Sequence, residues 1–509
     1  MPSPDDATIL PKYEDWKAPK SDGATLIWPE PQTMLDEARS TRELLARADA
    51  PAVQGTSLLE HRRAMRAFIG HADDSPLIMT GHQAELHHPG VWAKNALIDA
   101  AARSVGGKAF HLAVDTDSPK HLELRWPGYA APITDDADVT TAEWTGQLVS
   151  PSPAHADELI RAARGASQSL GAEPMLVEYL NDLRAASFVG ESWPLPNAMT
   201  AAMHRLDWSI GLDYAAVTLS PMLISPTWLA FAHHLLANAA SFGKAYNTGL
   251  AEYRTEQNIT GHSRPMPDLV FTAHSIEAPF WLDEVRTGMR HRTTVELRDG
   301  KCYLHKPYED DALELDPAID AGEAVHRLQR FLAQHELRLA PRALTLTLFM
   351  RLFVADLFVH GIGGGRYDQI TDRLIRDHFG LVPPPFAVTT ATLYLPRAEG
   401  RQRACVPCVV QEGHRLKHSL LGDEKKLILR AIESAPRGSR QRLDLFFDMH
   451  RKLRTALGMT SVLQDWQSKL DQTKRDADED AIVFNRELFY AVQPRERLTG
   501  LIERYRDAV

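Results

Sequence analysis

The chain has 509 residues, 44% hydrophobic and 24% charged, which excludes a fibrous or wholly disordered protein and asks for two or three domains or one core with large insertions. Lys and Arg number 57 against 67 Asp and Glu, a net charge of −10, which argues against a general nucleic-acid binder. Cys302, Cys405 and Cys408 are too few for a disulfide framework and suit a reducing compartment. The opening MPSPDDATILPKYEDWK lacks the basic and apolar regions of a signal peptide. Residues 344–359 are the most apolar stretch, yet Arg351 and Asp356 interrupt it, so no bilayer span is expected. The expectation is a cytoplasmic protein that works on small molecules, with neither nucleic acid nor membrane as partner.

In chain order, residues 31–48 and 57–70 read as helices, the second ended by Gly70. SPLIMT (75–80) is a short apolar run, followed by the loop GHQAELHHPG, the helical pattern VWAKNALIDAAARSVGG and a second apolar run, KAFHLAV (108–114). Strand, loop, helix and strand within roughly 40 residues predict a parallel βαβ unit with a right-handed crossover. Pro89 and Gly90 precede its helix and Gly106–Gly107 close it, as capping preferences require. Residues 155–245 look mainly helical, and TTVELRDGKCYLHK (293–306) reads as a β-hairpin turning at Asp299-Gly300. A further helix is expected over 323–339. LFMRLFVADLFVH then runs into the glycine-rich loop Gly361–Gly365 and the helix RYDQITDRLIRDHF, closed by Gly380. From about residue 422 the pattern changes to long amphipathic helices, with Leu443, Phe447, Leu453 and Leu457, then Leu463, Trp466 and Leu470, ended by the polar run DQTKRDADED (471–480). The segment after it, VFNRELFYAVQPRERLTGLIERY, is apolar enough to return to a core. This predicts an α/β core over 1–420 with helical connections at about 150–345, a helical dimerisation domain over 421–480, and 481–509 returning to the core.

Four groups of residues could carry chemistry. The loop Thr80-Gly81-His82-Gln83-Ala84-Glu85-Leu86-His87-His88-Pro89-Gly90 leaves the carboxyl end of a strand, where α/β proteins bind ligands. The helix behind it offers N–H groups and a positive dipole end, and Lys94 adds a cation, which together suit phosphate or carboxylate. Asp115 and Asp117 leave the next strand end and could orient an amine, hold Mg²⁺ or act as a base. His360 and the glycines through Gly363 and Gly364, with Arg366, Tyr367 and Asp368, form a turn that lets a ligand approach the backbone, without the spacing of a P-loop or dinucleotide fingerprint. Finally, Cys405-Val-Pro-Cys408 with His414 and His418 has the inventory of a structural zinc site at too short a spacing. A plain loop is the favoured reading there, and redox work is set lower because no strand leads into the pair.

These residues resemble the bacillithiol biosynthesis cysteine-adding enzymes. That family carries a Thr-Gly-Gln-Gln-Ala-Gly loop and a Gly-Pro before a helix, to which TGHQAELHHPGVWAKNALI is similar. Its Glu-Asp-His-Asp segment at the next strand end resembles Val114-Asp115-Thr116-Asp117, and a later Arg-Pro…Gly-Pro-Gly-Glu…Tyr stretch resembles LAPRALTLTLFMRLFVADLFVHGIGGGRYDQI. HFGLVPPPF and the Gln- and Arg-containing NRELFYAVQPRERL extend the match over nearly the whole chain. The resemblance implies a Rossmann-like parallel sheet core with helical insertions, a C-terminal coiled-coil domain, and a homodimer built through it. It implies ligation of cysteine to glucosaminyl-malate on a nucleotide-using core, with ATP or another nucleotide and Mg²⁺. His82, Asp115 and Asp117 would then be catalytic. Thr80, Gly81, Gln83, His87, His88, Lys94, Gly363, Gly364, Arg366 and Tyr367 would hold substrate or phosphate. The departures fall in the same crevice: His82 for Gln, Glu85 for Gly, Val114 for Glu and Thr116 for His. The rival expectations are a metal-dependent hydrolase using the same His and Asp residues, and a dimeric binding protein without chemistry.

Overall fold

The computed structural model describes residues 16–45, 52–187, 193–261, 266–458 and 461–509. They divide into two compact units, Met1–Leu393 with Arg486–Val509, and Tyr394–Asn485. The larger unit is α/β and is built on a six-stranded sheet. Its strands lie in the order Thr25–Trp28, Phe386–Ala391, Leu357–His360, Leu77–Gln83, Lys108–Val114 and Ala215–Thr218. All neighbours are parallel except Thr25–Trp28, which runs antiparallel along Phe386–Ala391. The parallel strands start at the middle with Leu77–Gln83 and step outward on one side to Ala215–Thr218. The chain then crosses back to lay Leu357–His360 on the other side of Leu77–Gln83. The strand order therefore reverses between these two strands, and a crevice opens at their carboxyl ends, where open α/β sheets bind ligands.

The expected βαβ unit is present as Leu77–Gln83, the helix Pro89–Val105 and Lys108–Val114. Its first strand is longer than the apolar run: Gly81, His82 and Gln83 are its last three residues, paired with Leu112, Ala113 and Val114, rather than part of the loop. Sheet pairing with the apolar Leu112, Ala113 and Val114 outweighs their weak strand propensity. His88 caps the helix and Gly106 closes it in the left-handed region at φ 65°. The helix Leu58–Phe68 begins with a Ser57–Glu60 capping box, an arrangement worth about 1 kcal/mol. The helix beginning at Pro31 is described as far as Leu45, and its expected end at 48 lies outside the described residues.

Between residues 153 and 256 the helices outnumber one short strand, as expected. Beyond them lies a second sheet, antiparallel and five-stranded, in the order Ala312–Leu315, Lys301–His305, Met289–Arg298, Ser275–Glu284 and Leu337–Pro341. Only its hairpin was legible, and it turns where expected, at Asp299 (φ 51°) and Gly300 (φ 74°). The helix expected over 323–339 stops at Gln334, and Leu337–Pro341 is a strand. The glycines after Gly361 form the first turn of the helix Ile362–Phe379 rather than a loop, and Gly380 caps its end at φ 65°.

Arg351 and Asp356, the two charges inside the apolar stretch, are both buried and paired. Arg351 donates to Asp368 at 2.7 Å and to Asp372 at 2.5 Å. Asp356 receives Arg62 at 2.6 Å, Arg66 at 2.7 Å and the backbone N–H of Leu77 at 2.7 Å. The segment Arg486–Val509 returns to the sheet unit: Tyr490 stacks on Trp92 with ring centres 5.1 Å apart, and Leu498, Leu501, Ile502 and Tyr505 are buried along the helix Arg495–Ala508.

The smaller unit holds the helices Val406–Ser419, Gly422–Ser434, Arg440–Gly458 and Val462–Val483. The polar run 471–480 lies inside the last helix rather than ending it. Ile432, Met449 and Leu453 form a small core. Leu443 and Phe447 stay 54% and 57% exposed, and the side chains of Leu457 and Leu463 lie outside the described residues. The plain loop favoured at Cys405 is instead the start of the first helix, and Cys405 and Cys408 form a disulfide, against the expectation of none. Among the described residues no helix is long and apolar enough to cross a membrane.

Candidate functional site

The crevice at the strand reversal holds a cavity of about 490 Å³. From the Leu77 strand and the turn behind it come Gly81, His82, Gln83, His88 and Lys94. From the neighbouring strand end comes Asp117, and from the Leu357 strand and its helix come His360, Gly361, Gly363, Gly364 and Tyr367. Leu112, Val114 and Phe358 give it an apolar floor. The two strand ends meet directly, because Gln83 Nε2 donates to Asp117 Oδ2 at 2.9 Å.

Lys94 is buried one helical turn inside the Pro89 helix, and its ammonium donates to the Gly81 carbonyl at 2.8 Å. Burial pulls its pKa down to about 7, with the Glu85 carboxylate working the other way. Burial likewise pushes Glu85 up to about 7, opposed by Lys94 and Lys120. Burial thus moves an ammonium and a carboxyl group toward neutrality from opposite sides, the pattern of acid–base sites. Between them sits His82, whose Nδ1 accepts the Gln83 N–H at 2.9 Å and whose Nε2 lies 3.4 Å from Glu85 Oε1. Burial, then Lys94, hold His82 well below the ordinary imidazole range, so its ring is neutral.

The other histidines do not supply charge to the crevice. His88 Nδ1 accepts the Gly90 N–H at 3.0 Å and caps the helix, while Val91 and Trp92 donate to the His88 carbonyl. The backbone donors expected there for an anion are therefore already used. His87 turns inward, stacked 5.0 Å from His82 and bonded to the Gln83 carbonyl. Burial lowers His87 to about 4 and His88 to about 3.

Free backbone donors lie on the opposite wall. Gly361 caps the Ile362 helix without any side-chain bond, and Gly361 through Gly364 line the cavity, at the helix end that carries the first N–H groups and the positive dipole end. A carbon added at Gly361 or Gly363 would meet nothing within 4 Å, whereas one at Gly364 would lie 2.7 Å from His360 Nδ1. The first two leave the backbone open to a ligand, and the third lets His360 pack against the turn. His360 Nε2 is held at 3.0 Å by Asp368, whose carboxyl resists burial because Arg351 and His360 keep it well below the usual range. Of this His360–Asp368–Arg351 chain, His360 and Asp368 belong to the glycine motif, and Arg351 was not among the expected site residues. Nor was Arg486, which lines the cavity and donates to Thr390 and Ala391 at 2.9 Å. Its place more than 90 positions from either partner leaves no local signal.

Three expected residues point elsewhere. Thr80 is buried and ties its strand to the Val359 carbonyl at 2.7 Å. Asp115 is buried, accepts the Ser220 N–H at 2.9 Å and is raised by burial, so it shapes the next loop rather than facing ligand. Arg366 donates to the Trp16 carbonyl at 2.7 Å. Cys405, Cys408, His414 and His418 belong to the other unit, and the side chain of His418 lies outside the described residues. Among the described residues no three His, Cys, Asp or Glu side chains are grouped to hold a metal ion.

Comparison with known proteins finds no family model that matches the chain and no curated protein that matches it.

Proposed function

We propose that this crevice is the active site of a carbon–nitrogen ligase on a Rossmann-like core, joining an amine, cysteine in the resembled family, to a carboxylate of a small acid. The observation that carries the reading is the meeting in one cavity of an uncapped helix start, Asp117, and Lys94, which burial pulls down to about 7. The N–H groups at Ile362–Gly364 receive an anionic group, each charge-assisted contact being worth about 1.5–3 kcal/mol. Asp117, steadied by Gln83, orients the incoming ammonium, and neutral Lys94 takes its proton. The floor of Leu112, Val114 and Phe358 keeps water away. A nucleotide with Mg²⁺, when bound, activates the carboxylate; the open faces of Gly361 and Gly363 fit its phosphates. A metal-dependent hydrolase has less to support it, since His87 bonds the Gln83 carbonyl, His88 caps a helix and Asp115 accepts the Ser220 N–H.

The test is Asp117→Asn. Mg²⁺–ATP should raise the melting temperature of the native protein, and Asp117→Asn should fold normally yet lose that rise and roughly 10²-fold or more of turnover. A variant that keeps the full rise and full turnover sinks the assignment of Asp117. A native protein indifferent to nucleotides and to pyrophosphate sinks the ligase reading.

A further inference from the structure

The Cys405–Cys408 disulfide lies in the helical unit and stands apart from the crevice reading. It spans one turn: Cys405 is the N-cap of the helix Val406–Ser419 and Cys408 sits in its first turn, with Cα atoms 5.2 Å apart. Such a bond joins no two elements. The helix is held by other contacts, with Val409 buried, its carbonyl receiving Trp466 Nε1 at 2.7 Å, and Gly413 lying directly under the Trp466 ring. The loop closed is only a few residues, so the constraint on the unfolded chain is small. Both cysteines are exposed, and they border a wide surface hollow of about 570 Å³.

The surroundings favour one of the two sulfurs as a thiolate. Cys405 Sγ accepts the Cys408 N–H at 3.2 Å, at the end of the helix where the dipole and unpaired N–H groups stabilise negative charge. Asp476, Glu479 and Asp480 share the hollow and oppose this. Glu479 and Asp480 are already engaged by Arg401, at 3.2 and 2.6 Å, and Asp480 also accepts the Ala404 N–H at 2.6 Å.

We propose that Cys405 and Cys408 form a redox-active pair that exchanges with low-molecular-weight thiols. A thiolate RS⁻ attacks Cys408 Sγ; the S–S bond breaks and its electron pair goes to Cys405, held by the Cys408 N–H. A second RS⁻ attacks the mixed disulfide at its external sulfur, releasing RSSR and leaving Cys408 as a thiolate that takes a proton from water. Two thiols are oxidised for each disulfide reduced, and the reverse sequence restores the bond.

The test uses the full chain in a Cys302→Ser background, which removes the remaining free cysteine. The folded Cys302→Ser protein is equilibrated in buffers of reduced and oxidised glutathione and the thiols are counted by alkylation and intact mass. The expected result is reversible interconversion of zero and two thiols, with the helical circular dichroism unchanged. With 5,5′-dithiobis(2-nitrobenzoate) at pH 7, Cys405 in the Cys408→Ser variant should react several-fold faster than Cys408 in Cys405→Ser. A pair that stays oxidised in millimolar dithiol, or that stays reduced in oxidised glutathione, overturns the proposal. Equal reactivity of the two single thiols overturns the assignment of Cys405. None of these readouts depends on the ligase reading, so the two can fail separately.

Discussion

At the scale of single residues, Lys94 is the most informative. A buried ammonium is costly unless paired, and this one has a carbonyl and a distant carboxylate for company. Its folded pKa of about 7 lies below its ordinary 10.5. Between those values the unfolded chain binds more protons, so stability should rise with pH from about 7 upward. Glu85 acts in the window below, between 4.5 and about 7. There the folded state binds more protons and stability falls as pH rises. Lys94→Met should therefore be more stable than the native protein at neutral pH, by about 2–4 kcal/mol, flatten the slope above pH 7, and lose most turnover. Urea unfolding at pH 7 and pH 9 checks both parts; a destabilised variant with an unchanged slope would mean that Lys94 is charged and well solvated. The sequence identified Lys94 only as a cation in a helix. Its depth in the fold, which decides its proton affinity, is set by the Gly81 strand and the sheet around it.

At the scale of elements, Asp356 clasps the starts of the two strands that flank the crevice. Its carboxylate takes the Leu77 N–H, and its own N–H donates to the Leu77 carbonyl at 2.8 Å. Asp356→Asn would leave Arg62 and Arg66 buried without a counter-charge, at a cost of about 3–5 kcal/mol. Because the clasp sits at the opposite strand ends from the cavity, affinity for a stabilising nucleotide should survive in the folded fraction, as calorimetry can show. The legibility of the fold divides along the same line. The βαβ unit could be read because its turn, cap and glycine signals are local. The strand Ser275–Glu284 could not, since SIEAPFWLDE is buried on both faces and shows no alternation. Half of the crevice was local too, in the His82 turn and the glycine turn. The chain from Arg351 through Asp368 to His360, and Arg486 behind Thr390, depend on pairings that only the folded sheet brings together.

At the scale of the whole molecule, the helical unit leaves Leu427, Leu443, Phe446 and Phe447 between 44% and 64% exposed. That is more apolar surface on two helices than an isolated unit keeps without a partner, and a homodimer through these helices is the expected outcome. Light scattering should give twice the chain mass at micromolar concentration, and Phe447→Glu should give the single mass. A native protein of single mass would end the idea.

The insertion of residues 394–485 between two parts of one sheet unit also imposes an order on synthesis. When the ribosome has delivered every strand of both sheets, the buried carboxylate of Asp207 still lacks the Tyr490 hydroxyl that it receives at 2.8 Å, and His87 still lacks the Tyr490 N–H for its carbonyl. Trp92 has no ring to cover it. A nascent chain must first carry the whole helical unit out of the exit tunnel before Arg486–Val509 can dock. The crevice wall that Arg486 contributes is thus among the last pieces to arrive, and a translating intermediate exposes an unfinished crevice for the time it takes to make the intervening helices.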